Sequence, residues 1–211
     1  MTEDISYARV KFDAESARTY SQRKNSKHRQ EMAMIEEAMR HVQGVTCMLD
    51  APCGVGRAAI WLAQQGIHVT GVDLGDGALH LASTLASEAG VQVTFERQDI
   101  FDLPYADKAF DATLCFRLLH HFGSPALRSR LIDELCRVSG RYVLISRISP
   151  VSVTSLRRRL RFLFSGKAIK QYPVAARELH AELARNGFEP LVKTGRSALF
   201  HSLQLQVYRR K

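Results

Sequence analysis

The sequence predicts a single doubly wound α/β domain with an N-terminal helical arm, its mostly parallel seven-stranded sheet ending in an antiparallel strand. Three observations carry this prediction. Short β-alternating runs recur between stretches of helical periodicity, the pattern of a parallel sheet with right-handed crossovers. The stretch VTCMLDAPCGVGRAAIWLAQQGIHVTGVD, residues 45–73, reads as strand, glycine-bearing turn, helix and a second strand ending in a carboxylate. The last two apolar runs lie close enough in the chain to form an antiparallel pair.

The elements follow in order. Residues 16–42 read as a helix, with Met32, Ile35, Met39 and Val42 on one apolar stripe. Strands are expected at 46–50, 69–73, 91–96, 112–116 and 142–145, separated by helices at about 58–65, 77–88 and 125–138. After a long connection come a helix near 175–186 and strands near 188–193 and 202–208. Gly187 suits the left-handed position that closes a helix. No internal repeat or low-complexity linker appears, so residues 45–211 read as one domain and residues 1–44 as its arm.

The glycine turn indicates what the fold binds. Gly54 and Gly56 give the backbone freedom and leave room for a ligand beside the main chain. Asp73 follows Gly54 at roughly the twenty-residue spacing of a ribose-binding carboxylate, and so points to a nucleoside-containing cofactor. A dinucleotide would want a third glycine, and residues 50–57, DAPCGVGR, lack it. An acid at Asp50, ending the first strand, would repel a pyrophosphate but suits an ammonium group. S-adenosylmethionine carries an α-ammonium, a sulfonium, a ribose diol and an adenine.

At this point the sequence resembles the class I S-adenosylmethionine-dependent methyltransferases, and the resemblance runs over most of the chain. Gln98, Asp99 and Ile100 stand where that family places an acid for the adenine amino group. LPYADKAFDATLCF, residues 103–116, is similar to the family's passage into its fourth strand, and LLHHF, residues 118–122, to the segment after it. The family often has glycine where this chain has Pro52. Proline fixes φ near −65°, so the close approach of a ligand rests on Gly54 and Gly56.

The resemblance implies a Rossmann-like methyltransferase fold and a set of cofactor-binding positions. Asp50, Ala51, Cys53, Gly54, Gly56 and Arg57 would serve at the first turn, and Asp73 and Leu74 at the second. Asp99, Ile100 and Phe116 would complete the pocket, with Tyr20 and Arg23 from an arm that folds over the cofactor. Arg57 reads either as a partner for a ligand carboxylate or as a surface ion pair. Cys53 lies inside the cofactor turn rather than after the fourth strand, which argues against a nucleophilic cysteine of the cytosine-C5 type.

The implied chemistry is displacement at the sulfonium methyl, driven mainly by positioning. A hydroxyl acceptor would also need its proton removed, and His120 and His121 stand at the carboxyl edge where doubly wound sheets bind ligands. The structural alternative is that one caps the following helix and the other packs beneath the turn. Residues 150–172 read as a basic lid or substrate-contact insertion. Within it, Leu156, Leu160 and Leu163 share one side of a helix whose remainder carries Arg157, Arg158, Arg159 and Arg161, suited to anionic lipid or an anionic acceptor. An ordinary lid packed by its leucines fits the same pattern.

Composition narrows the classes. The four cysteines form no C-x-x-C pair and no metal-ligand spacing with the eight histidines, so reduced thiols and no metal are expected. The first residues lack the apolar run of a signal peptide, and no stretch reaches transmembrane length, as for a cytoplasmic protein, peripheral at most to the inner face of the membrane. The formal net charge of +9 favours an anionic acceptor, membrane surface or nucleic acid. An RNA methyltransferase is disfavoured because Phe116, Arg117 and Leu118 stand where an N/D-P-P-Y/F motif would. A non-catalytic cofactor-binding regulatory protein is the remaining alternative. The favoured reading is a methyltransferase for a small-molecule or lipid-linked acceptor, an anionic one included.

Overall fold

The structure, a computed structural model, describes residues 25–151, 171–195 and 202–211. Helix α1 (Asn25–Met39) leads into β1 (Cys47–Asp50), α2 (Arg57–Gln64), β2 (His68–Asp73), α3 (Asp76–Glu88) and β3 (Thr94–Arg97). Then come β4 (Phe110–Cys115), a short 3₁₀ turn (Leu119–His121), α4 (Pro125–Val138) and β5 (Ser139–Ile148). Helix α5 (Ala176–Arg185) and strands β6 (Phe188–Thr194) and β7 (Leu203–Arg210) complete the fold.

The sheet has seven strands in the order β3-β2-β1-β4-β5-β7-β6. Strands β1 to β5 pair in parallel, while β7 runs antiparallel between β5 and β6. The expected hairpin is therefore present, with its second strand inserted next to β5. The strand order reverses between β1 and β4, and doubly wound sheets bind ligands outside the strand ends at such a reversal.

Both faces of the sheet are covered, so the central strands are apolar throughout rather than alternating. Met48, Leu114, Leu144 and Val207 face α1 and α2, packing with Ile35, Ala38, Ala59 and Leu62. Their neighbours Leu49, Cys115, Ile145 and Tyr208 face the other way, toward Leu131 and Leu135 of α4 and Leu179 and Leu183 of α5. Helix α4 starts as its sequence requires, with Pro125 in its first turn and the Ser124 hydroxyl accepting from the Leu127 amide.

Several boundaries differ from expectation, each with an identifiable bond or turn behind it. Strand β3 begins at Thr94, not residue 91. The Val91 amide bonds the Ala86 carbonyl at 3.1 Å and the Gly90 amide that of Ser87 at 3.0 Å, closing α3 in a Schellman motif. Strand β4 stops at Cys115 rather than 116, because Arg117 turns the chain with φ 64°. Strand β5 extends both ways beyond 142–145 and begins without a loop after α4. Arg210 donates to the carbonyls of Cys136, Ser139 and Gly140 at 2.7, 2.6 and 3.1 Å, satisfying the helix end at that junction. Of the expected helix over 16–42, residues 16–24 lie outside the described residues; α1 ends at Met39, and a turn closes with the Val42 amide on the Met39 carbonyl.

Candidate functional site

The turn after β1 is stitched to the strands on both sides. The Ala51 amide donates to Leu114 of β4 at 2.9 Å, and the Cys53 amide to Val72 of β2 at 2.8 Å. Its left-handed residues are Gly54 and Gly56, with φ 54° and 74°. The two glycines serve different ends. A Cβ on Gly54 would meet nothing within 4 Å, and Gly54 lines a cavity. A Cβ on Gly56 would stand 2.8 Å from the Phe95 ring and 2.9 Å from the Ala82 Cβ. Gly56 therefore makes room for packing beneath the turn, and it does not line the cavity.

That cavity, of about 230 Å³, opens at the strand ends where the order reverses. Asp50 is buried at its base, 1% exposed, with its Oδ2 lacking a hydrogen-bond partner among the described residues. Burial drives its carboxyl up to about 8; an Ala59 backbone hydrogen bond at the start of α2 opposes this, and Asp73 adds to it. Asp73 is also raised, first by burial, although the backbone amides of Gly75, Gly54 and Leu74 pull it back. Its Oδ2 accepts from Gly54 and its Oδ1 from Gly75, both at 2.9 Å. Burial, followed by the charges of Asp50 and Asp73, holds the Cys53 thiol far above the usual range, which opposes thiolate formation.

Beyond β3, Gln98, Asp99, Ile100 and Phe101 form the next wall. Asp99 Oδ1 accepts from the Phe101 amide at 3.0 Å, which fixes the loop. Phe116, Leu118 and Phe122 supply an apolar wall past β4, with Arg117 and His121 among them. The fourth side is α1, through His28, Glu31, Met32 and Ile35. Glu31 pairs with Arg117 at 3.1 Å. Burial and the nearby Arg57 hold His28 below the ordinary histidine range, with Glu31 opposing.

Of the residues proposed from sequence, the cavity brings together Asp50, Cys53, Gly54, Arg57, Asp73 and Leu74 with Asp99, Ile100, Phe116 and His121. It does not include Ala51, which is fully buried beneath the turn, or Gly56. His120 is 1% exposed and also lies behind the wall, its ring centroid 4.5 Å from that of His121, so the two histidines have separate places. Tyr20, Arg23, Arg157, Arg158, Arg159 and Arg161 fall outside the described residues. Sequence reasoning placed the arm over the cofactor through Tyr20 and Arg23 and did not name His28, Glu31, Met32 and Ile35 of α1, or Gln98 and Arg117, as lining residues. The signal for α1 was present: residues 28, 31, 32 and 35 share one helix face, but the apolar members read as core.

Residues 48–140 match the sequence model of a family described as methyltransferase domain. A ubiquinone biosynthesis O-methyltransferase of Hahella chejuensis is 36% identical over 80 residues, 37% of this chain and 34% of that protein. One from Aeromonas salmonicida is 34% identical over 103 residues, 48% of this chain and 43% of that protein. The matches thus span well under half the length of these curated relatives. Among solved structures, the magnesium protoporphyrin IX methyltransferase of Synechocystis PCC 6803 with bound S-adenosylmethionine superposes with a TM-score of 0.76 and 19% identity, covering 100% of this chain and 99% of that one. The 1,6-didemethyltoxoflavin-N1-methyltransferase of Burkholderia thailandensis gives 0.66 at 18% identity, covering 94% and 84%. At these identities the likeness is one of fold.

Proposed function

We propose, for a chain whose residues 48–140 match the methyltransferase-domain model, that the protein is an S-adenosylmethionine-dependent methyltransferase acting on a small-molecule acceptor. The observation that carries this reading is Asp50, a buried carboxylate with a partnerless oxygen at the point where strand order reverses. A buried polar atom without a partner is costly, and an ammonium group would satisfy it. A pyrophosphate offers Asp50 no such cationic partner, and the turn lacks the third glycine a dinucleotide would want.

The other residues fit the same ligand. Asp73 retains lone pairs for two ribose hydroxyls after accepting its backbone bonds. Asp99 would accept from the adenine amino group between Leu74 and Ile100, and Arg57 would take the methionine carboxylate. When bound, S-adenosylmethionine supplies an electrophilic methyl group on a positively charged sulfur. The chain's part is to orient and dry the site: Met32, Ile35, Phe116, Leu118 and Phe122 exclude water. His121 is the group placed to accept an acceptor's proton. His120 supports it from behind.

Calorimetric titration tests the reading. S-adenosylmethionine should bind and NAD should not. Tight NAD binding with no response to S-adenosylmethionine would overturn it.

The acceptor belongs to the same proposal. The apolar wall favours an acceptor whose reacting part is apolar, and the names of the relatives favour methylation at oxygen of a small biosynthetic intermediate. Residues 1–44 act as an arm over the cofactor, and 150–172 as a basic lid through which Arg157, Arg158, Arg159 and Arg161 meet an anionic acceptor or the inner membrane face. The lid returns to the fold where the Tyr172 amide donates to the His120 carbonyl at 2.8 Å and the Tyr172 ring covers Gly123. Among the described residues, no helix is long and apolar enough to cross a membrane. A tritiated-methyl screen of extract fractions, with anionic vesicles and total RNA assayed side by side, tests acceptor and surface together. Methyl incorporation confined to RNA would overturn the small-molecule reading.

A further inference from the structure

Helix α1 roofs the cavity, and its two halves are held differently. The second half belongs to the core: Ile35 and Ala38 are 1% and 0% exposed, and Thr194 Oγ1 donates to the Met34 carbonyl at 3.0 Å. The first half faces the cavity with His28, Glu31 and Met32. There Glu31, its side chain 12% exposed, meets Arg117, 27% exposed, at 3.1 Å.

Arg117 is held in place on the far side of this pair. Its φ of 64° is left-handed, a region that long side chains rarely adopt. Its amide donates to Ser146 Oγ at 2.6 Å, which ties the turned backbone to β5. Strain kept at the wall of a cavity must be over-determined by its surroundings, and such strain clusters at ligand clamps. Here the turned backbone carries a guanidinium to a carboxylate on a different element. An ion pair this sheltered is screened less than one on the surface.

We propose that Glu31 and Arg117 form a latch: Arg117 is a positioning residue that, through Glu31, seats the first half of α1 as a roof, and a bound ligand leaves only when the pair opens. The core-anchored second half is the pivot, so the roof lifts without exposing Ile35 or Ala38. The identity of the ligand rests on the methyltransferase reading; the seating of the roof does not.

Hydrogen–deuterium exchange of amides 28–33 in the ligand-free chain reads the roof directly. Glu31→Gln and Arg117→Gln should each speed exchange on the order of fivefold, the factor expected from losing one partly sheltered ion pair. The exchanged pair, Glu31→Arg with Arg117→Glu, should restore most of the protection. With S-adenosylhomocysteine as probe, stopped-flow dissociation should quicken in both single variants and recover in the exchanged pair. Unchanged exchange in the single variants, or faster exchange with an unchanged dissociation rate, would overturn the latch. Failure of S-adenosylhomocysteine to bind the wild-type chain would remove the cofactor reading, while the exchange data would still decide the latch.

Discussion

The Asp73 carboxylate accepts a hydrogen bond from the Gly54 amide at 2.9 Å, across the nineteen positions that separate the end of β2 from the turn after β1. Its second oxygen holds the Gly75 amide at the same distance. The residue that reads from sequence as a ribose acceptor is thus also a brace for the two loops that shape the cavity.

Asp73→Ala should therefore lower both ligand-free stability and cofactor affinity. Hydrogen bonds to a charged group are worth about 1.5–3 kcal/mol, and each kcal/mol moves the midpoint of a chain this size by about 2–4 °C. Differential scanning calorimetry without ligand should show a clear fall in midpoint, with affinity at least about tenfold weaker. An unchanged midpoint beside lost affinity would mean that the two backbone bonds are dispensable.

Asp50 makes affinity depend on pH. Its carboxyl, raised to about 8 by burial, stays largely protonated in the ligand-free chain near neutrality. The sign follows from linkage: a folded-state value above the unfolded one gives a contribution to stability that is full below about 4 and is lost as pH rises through about 8. The ligand-free wild type should thus lose stability relative to Asp50→Asn over that window. A ligand ammonium needs the ionised acid, so affinity for S-adenosylmethionine should rise with pH up to about 8, by as much as about tenfold per unit. Titrations in buffers of different ionisation heat should reveal proton release on binding. Identical heats in all buffers would contradict a protonated Asp50.

The two histidines should separate. His121→Gln should lower turnover by about 10²–10⁴-fold if His121 removes the acceptor's proton, with cofactor affinity nearly unchanged. His120→Gln should act mainly on stability, since His120 is buried behind the wall. Single-turnover assays over a pH series on a phenolic acceptor panel distinguish them. Equal losses of turnover in the two variants, both matched by a fallen midpoint, would return His121 to a packing role.

Gly56→Ala should cost stability more than Gly54→Ala does. Both positions are left-handed, but only at Gly56 would the new methyl meet Phe95 and Ala82, at 2.8 and 2.9 Å. Overpacking of this kind costs about 1–3 kcal/mol, beyond the backbone strain that both variants share. Paired chemical denaturation measures the difference; Gly54→Ala should instead act on cofactor affinity. Equal stabilities would mean that Phe95 moves aside freely.

Most of the fold was legible because each central strand is apolar on both faces and each helix is punctuated. Ser124 with Pro125, and Gly187, mark helix ends in the sequence itself. What was not legible depended on hydrogen-bond partners that the alternation of apolar residues does not reveal. Val91 alternates with Val93 like a strand, yet its amide is engaged by the end of α3. The length of β5 depends on Arg210, which no local pattern connects to Ser139. At the site, Asp73 could be read from its spacing to Gly54, Asp50 from its place at the end of the first strand, and Asp99 from the family resemblance. Adjacent His120 and His121 could not be sorted, because the 3₁₀ turn alone decides which ring reaches the cavity. Nor could the cavity face of α1 be told from its core face, since Met32 and Ile35 look the same in both.

The insertion of β7 between β5 and β6 also makes the place of β6 in the sheet depend on β7. Strand β6 leaves the ribosome first, but its only strand neighbour among the described residues is β7, which follows it. Until β7 pairs with β5, residues 188–194 have no sheet to join, and the Thr194 tether to α1 has no fixed base. The seat of the roof thus rests, through Thr194, on a strand that reaches the sheet only by way of β7 among the described residues, and loosening β7 should loosen the wall that α1 gives the cavity.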